Sequence, residues 1–135
     1  MSNLSKKIFI VDDSRSVLDA LARALSIHGY SVETSIANGA ALGERIAKGD
    51  IGLVLLDIML SGQDGRIIMH SLKRSPLTGG VPIVAMSANP LFRESSIESG
   101  ADMFLEKPFS MKDLVAVAQR YIGPIDENQK NPRSV

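Results

Sequence analysis

The run Ile51-Gly52-Leu53-Val54-Leu55-Leu56, closed by Asp57, is apolar at successive positions rather than at alternate ones. A strand that reads this way is buried on both faces, the condition of a central strand in a parallel sheet covered by helices. Working outward, Ile8 to Val11 and Val81 to Met86 read as strands of the same kind. Tyr30 to Ile36 alternates and reads as another, and Asp102 to Leu105 as a short last one. Segments of helical period lie between and after them. Val17, Leu18, Leu21 and Leu25 form a stripe stopped at Gly29. Asn38 can cap a helix carrying Leu42 and Ile46, ended by Gly49. Arg66 to Lys73 puts Ile67, Ile68 and Leu72 on one side before Pro76 and Gly79-Gly80 end it. Pro90 to Ser99 reads as a helix with a thin apolar side of Leu91, Phe92 and Ile97, hence loosely packed. Ser110, with Asp113 three residues on, starts a last helix with Leu114, Val117 and Tyr121 inward. Five strand-helix pairs predict an α/β fold with a doubly wound parallel sheet.

Composition narrows the function classes. The 135 residues include no cysteine, so disulfide scaffolds and thiolate zinc sites are excluded, and a reducing cytoplasm is the expected location. Lys plus Arg and Asp plus Glu number 15 each, a balance without the basic footprint of a nucleic-acid binder. No apolar run approaches the roughly 20 residues that span a bilayer, so neither a membrane segment nor a signal peptide is expected. Residues 1–123 read as one domain. Residues 124–135 turn polar and read as a tail or a cut linker.

In a doubly wound sheet, functional groups gather beyond the carboxyl ends of the strands. Here those ends carry Asp12-Asp13, Asp57, Ser87 and Glu106-Lys107-Pro108. Singly, each has an ordinary explanation: a helix cap, a strand terminus, a hydroxyl bonded to local backbone, a solvated cation. Together, three carboxylates on one edge would repel one another unless a cation sat among them. Mg²⁺ suits such a partial all-oxygen site, because it keeps several waters and takes one or two carboxylates plus phosphate oxygens. With a lysine and a hydroxyl nearby, the parts match phosphoryl transfer through an aspartyl phosphate.

At these residues the chain resembles the CheY-like receiver domain of two-component response regulators, over residues 6 to about 122. The motifs are Ile8-Phe9-Ile10-Val11-Asp12-Asp13-Ser14; Leu55-Leu56-Asp57-Ile58-Met59-Leu60 through Asp64-Gly65; Val81-Pro82-Ile83-Val84-Ala85-Met86-Ser87-Ala88; and Gly100-Ala101-Asp102 with Lys107-Pro108-Phe109. Separations of 44 residues from Asp13 to Asp57, 30 to Ser87 and 20 to Lys107 are family-like. The resemblance implies a flavodoxin-like (βα)5 fold with strand order 2-1-3-4-5. It implies Asp57 as phosphoacceptor, with Mg²⁺ held by Asp12, Asp13, Asp57 and the main-chain carbonyl of Met59. Ser87 and Lys107 would bind the phosphoryl group, Phe104 would be the switch aromatic answering Ser87, and the Lys107–Pro108 peptide would be cis. The implied role is a phosphorylation-controlled binding module rather than an enzyme acting on other substrates. A sensor histidine kinase or phosphotransfer protein would supply the phosphoryl group and a downstream protein would receive the signal, without nucleic acid or membrane.

The chain departs from the family pattern in ways that matter. Ser61 stands where proline is common, Ser87 where threonine is, and Phe104 where tyrosine is, which removes any phenolic hydroxyl from the switch. Met59 and Asn89 occupy the positions that influence hydrolysis, and Met59 cannot orient an attacking water. An Asp-nucleophile phosphatase of the haloacid dehalogenase type would need an acid at position 59. A flavin carrier would not open its first loop with two aspartates, and a receiver that had lost phosphorylation would not keep all five key positions. His28 and His70 lack ligand-spaced partners and read as surface side chains. Met59, Met69, Met86, Met103 and Met111 read as core or rim filler. A stand-alone regulator is the leading expectation, and a receiver cut from a longer regulator or hybrid kinase the alternative.

Overall fold

Side chains alternate across a strand, so Ile8 and Ile10 go to one face of the first strand, β1 (Lys7–Val11), and Phe9 and Val11 to the other; all four are buried. The computed structural model describes residues 6–36 and 39–125. β1 is followed by α1 (Arg15–Ile27), β2 (Val32–Ser35), α2 (Gly39–Ile46) and β3 (Ile51–Asp57). Next come β4 (Met59–Leu60), β5 (Gln63–Asp64), α3 (Gly65–Arg74) and β6 (Ile83–Ser87). A short turn of 3-10 helix (Pro90–Phe92) precedes α4 (Arg93–Glu98), β7 (Met103–Glu106) and α5 (Met111–Tyr121).

The main sheet runs β2-β1-β3-β6-β7 with every pairing parallel, which is the 2-1-3-4-5 order once the β4–β5 pair is set aside. All seven residues of β3 are buried, as a strand covered on both sides requires. One core packs Phe9, Val11, Val54, Leu56 and Ala85 against Leu42 and Ile46 of α2 and Ile68, Met69 and Leu72 of α3. The other packs Ile8, Ile10, Leu53, Leu55 and Val84 against Leu18 and Leu25 of α1 and Leu114, Val117 and Ala118 of α5. Because the strands are parallel, all their carboxyl ends open on one edge. At the opposite edge Arg45 bonds Glu33 at 2.6 Å and Asp50 at 2.7 Å, fastening α2 to the start of the sheet.

Several local expectations hold and some need correction. Gly29 and Gly49 end α1 and α2 with φ of 95° and 91°, the left-handed conformation that glycine adopts freely. Ser110 and Asp113 form a full reciprocal capping box at α5. The cap assigned to Asn38 and, of the polar tail over residues 124–135, the part from residue 126 onward lie outside the described residues. β2 is shorter than Tyr30 to Ile36: Tyr30 is buried before the strand, its hydroxyl donating to the Gly123 carbonyl at 2.8 Å, and Ile36 is exposed beyond it. Ile67 does not share the inward face of α3. It is 71% exposed, because the buried stripe runs through Gly65, Ile68, Met69 and Leu72 and a helix turns about 100° per residue.

The expected helix over Pro90 to Ser99 is two pieces. Its apolar side is thin, with Leu91 and Ile97 exposed, but polar contacts anchor it. Ser96 is buried and donates to the Phe92 carbonyl at 2.6 Å. Arg66 donates to Ser95 Oγ at 3.0 Å while its guanidinium lies 4.5 Å from the centre of the Phe92 ring. The short β4–β5 hairpin was not expected from the apolar pattern. It turns at Ser61-Gly62, where Gly62 has φ of 73°.

Candidate functional site

β1 ends at Val11, and the chain leaves the sheet through Asp12 and Asp13. Ser14, not an aspartate, caps α1: its hydroxyl accepts from the Val17 amide at 3.4 Å. Both carboxylates are thereby released from capping. Asp12 is buried, and its Oδ1 accepts from the Ser14 amide at 2.9 Å. Asp13 is exposed, and its Oδ2 accepts from Ser61 Oγ at 2.7 Å. Asp57 closes β3 beside these two, 7% exposed, its Oδ1 accepting from the Met59 amide at 3.1 Å. One oxygen from each of the three carboxylates lies within 4.8 Å of the others.

Lys107 reaches the same point from the sheet edge. Its amide donates to the Ser87 carbonyl at 2.8 Å, and the Lys107–Pro108 peptide is cis. Its Nζ sits 3.0 Å from Asp12 Oδ2 and 3.4 Å from Asp57 Oδ2. Ser87 ends β6, one residue past Met86, which pairs with Asp57. It is 2% exposed, and its Oγ accepts from the Asn89 amide at 3.0 Å. Asn89 in turn caps the 3-10 turn by accepting from the Leu91 amide. Phe104 lies on β7 opposite Ala85, buried, with the Arg93 guanidinium 4.9 Å from its ring centre. The Met59 side chain points to solvent, 61% exposed, as a rim residue.

The electrostatics follow from burial and partners. Burial pushes the Asp57 carboxyl above its ordinary range; Lys107 and the Met59 amide pull it down, and the neighbouring Asp12 adds to the upward push. Burial works against the Lys107 ammonium too, but its bonds to Asp12 and Asp57 and their charges more than offset this and hold its pKa above the usual value. The Ser61 hydroxyl keeps Asp13 below the ordinary carboxylate range. Three carboxylates thus face one lysine. The donor set, hard oxygens from two strand ends with solvent on one side, fits a divalent cation that keeps some of its water.

Of the residues singled out in the sequence, Asp12, Asp13, Asp57 and Lys107 converge directly, and Ser87 flanks them on the adjoining strand. Phe104 sits one strand further out, in the core. Ser61 is the contributor that motif spacing missed as a site member. The signal was present in the Ser-Gly pair, a turn dipeptide that places residue 61 at a hairpin tip.

Comparison with known proteins gives the same picture. The response regulator receiver domain family matches residues 8–119. The response regulator MprA of Mycobacterium bovis (strain BCG / Pasteur 1173P2) is 35% identical over 116 residues, which are 84% of this chain and 49% of that protein. MprA of Mycobacterium ulcerans is 35% identical over 84% of this chain and 48% of its own length. The chain spans about half the length of the curated relatives it matches. Among solved structures, the receiver domain of NtrX from Brucella abortus superposes with a TM-score of 0.75 at 31% identity, covering 84% of this chain and 96% of that one. The chemotaxis protein CheY4 of Vibrio cholerae has a TM-score of 0.76 over 86% of this chain and 98% of its own, and at 24% identity that likeness is one of fold. With a matched family over most of its length and the acidic edge in place, the chain belongs to the response regulator receiver domain family, the signalling module of two-component systems.

Proposed function

We propose that Asp57 accepts a phosphoryl group and that the accepted group changes which proteins this domain binds. The observation that carries the reading is the meeting of Asp12, Asp13 and Asp57 with Lys107 at one strand edge. A carboxylate oxygen of Asp57 attacks phosphorus in the donor, a phosphohistidine or acetyl phosphate. The bond from phosphorus to the imidazole nitrogen or acetate oxygen breaks and its electron pair leaves with that group. Asp12, Asp13, Asp57 and the Met59 carbonyl would hold Mg²⁺, which when bound neutralises charge on the phosphoryl oxygens. Lys107 pairs with the transferred anion and Ser87 donates its hydroxyl to it, with Phe104 following the Ser87 shift.

The donor is a sensor histidine kinase or phosphotransfer protein and the output is contact with a downstream protein, in the cytoplasm. Two arrangements serve that role. One is a stand-alone regulator of residues 1–123 with a polar tail. The other is the receiver part of a longer regulator, a reading favoured by relatives of about twice the matched length. Among the described residues no helix is long and apolar enough to cross a membrane.

Incubated with Mg²⁺ and acetyl phosphate, the chain should gain the mass of one phosphoryl group, and Asp57→Ala should not. No gain by the parent chain, or an equal gain by the variant, rules the assignment out. Met59, exposed beside the acceptor, offers an attacking water no hydrogen bond. Met59→Asn should therefore shorten the lifetime of the aspartyl phosphate severalfold, measured as loss of the added mass with time. An unchanged decay rate would contradict this.

A further inference from the structure

Each carboxylate of the acidic edge is held differently. Asp12 and Asp57 share Lys107 and each takes one backbone amide, whereas the carboxylate of Asp13 takes its main support from the Ser61 hydroxyl, 48 residues away, at 2.7 Å, with the backbone of Ser61 and of Asp13 adding to it. Ser61 occupies the tip of the β4–β5 hairpin, which leaves β3 directly after Asp57. Its position is braced from below: Gly62 supplies the left-handed turn, and Met59 and Leu60 pair with Asp64 and Gln63. The Ser61–Asp13 bond therefore ties the loop after β1 to the loop after β3, the two segments that carry the acidic cluster.

We infer that Ser61 is a positioning residue for the cation site: it is no metal ligand itself, but by bonding the Asp13 carboxylate it fixes that group beside Asp12 and Asp57. The inference rests on the reading of these three aspartates as the magnesium site. Asp13 is exposed, so without the Ser61 hydroxyl its carboxylate keeps only backbone support, its side chain samples more staggered conformers, and each binding event has to select one. A ligand carboxylate that already accepts a hydrogen bond on its other oxygen keeps its orientation at little further entropic cost, which is how residues behind a metal ligand act generally. A proline at this position would leave Asp13 without that tether. The magnesium affinity of this chain is thus set partly by a hydroxyl outside the ligand set.

Mg²⁺ titration by calorimetry tests this on the parent chain, Ser61→Ala, Ser61→Thr and Asp13→Ala, with melting temperatures taken in chelator. Ser61→Ala should weaken Mg²⁺ binding about tenfold, the lower end of the effect of losing a partner behind a metal ligand. Ser61→Thr, which keeps the hydroxyl, should restore binding to within about twofold of the parent, and the metal-free melting temperatures of both should match the parent. Equal affinity of Ser61→Ala and parent, or Ser61→Thr as weak as Ser61→Ala, overturns the positioning role while leaving the magnesium site standing. Absence of saturable binding by the parent chain overturns the site and, with it, this inference.

Discussion

Lys107→Ala should lower the melting temperature of the metal-free protein by roughly 10 °C, and millimolar Mg²⁺ should return much of the difference. Lys107 Nζ stands between Asp12, 1% exposed, and Asp57, 7% exposed. Removing it leaves two buried carboxylates side by side with no cation, and breaking a buried ion pair costs about 3–5 kcal/mol. The lysine side chain is 24% exposed, so water recovers part of this and about 2–3 kcal/mol remains. The sign with pH follows from Asp57, whose carboxyl burial holds above its ordinary range. A carboxyl whose folded pKa is raised costs the fold nothing below its unfolded value of 3.8. The cost appears as pH rises through the window up to the folded value, and persists above it. Without Lys107 that cost grows, so the deficit of the variant should widen as pH rises above the unfolded value of 3.8 and stay wide above the folded value. A melting temperature equal to the parent in chelator at pH 7 would show that the lysine does not offset the acidic edge.

Gly65→Ala should be nearly as damaging, for a steric reason rather than an electrostatic one. Gly65 opens α3 and donates its amide to the Ile58 carbonyl at 2.8 Å, folding the helix start against the end of β3. A Cβ there would stand 2.5 Å from the Asp57 carbonyl oxygen and 2.8 Å from Ile58 Cα, both backbone atoms that cannot swing away. Overpacking of this kind costs about 1–3 kcal/mol, a fall of roughly 5–10 °C, and it displaces Asp57 itself. Phosphoryl uptake should therefore drop along with stability. Gly43→Ala in α2, where no atom lies within 4 Å of the new Cβ, is the control and should raise the melting temperature slightly by its better helix propensity. Equal behaviour of the two variants would contradict the close approach at Gly65.

Much of this was legible from residue order alone where a pattern is long and local. The buried run of β3, the glycines that end α1 and α2, and the Ser110–Asp113 box each depend on a few neighbouring residues, and the structure contains them. Short-range pattern reading fails where contacts between distant segments set the outcome. Ile67 and Ile68 look equivalent in sequence, yet only Ile68 reaches the core, because packing against the sheet selects one stripe of α3. The segment over residues 90–98 has too little apolar surface to define itself. Its anchorage comes from Arg66, 29 residues before Ser95. Ser61 and Asp13 are likewise unrelated in sequence and bonded in space.

The order of apolar and polar residues was enough to specify alternating strands and helices in a parallel sheet, because burial on two faces leaves a strand no polar positions to spare. From parallel strands it follows that Asp12, Asp13, Asp57, Ser87 and Lys107 share one edge. Their division of labour needed the folded chain. Which carboxylates the lysine neutralises, which one is left to a serine, and how far burial lifts Asp57 are set by distances of a few ångströms and by the water excluded around them. Those quantities belong to the packing of segments that meet only after folding, and the sequence carries no local record of them.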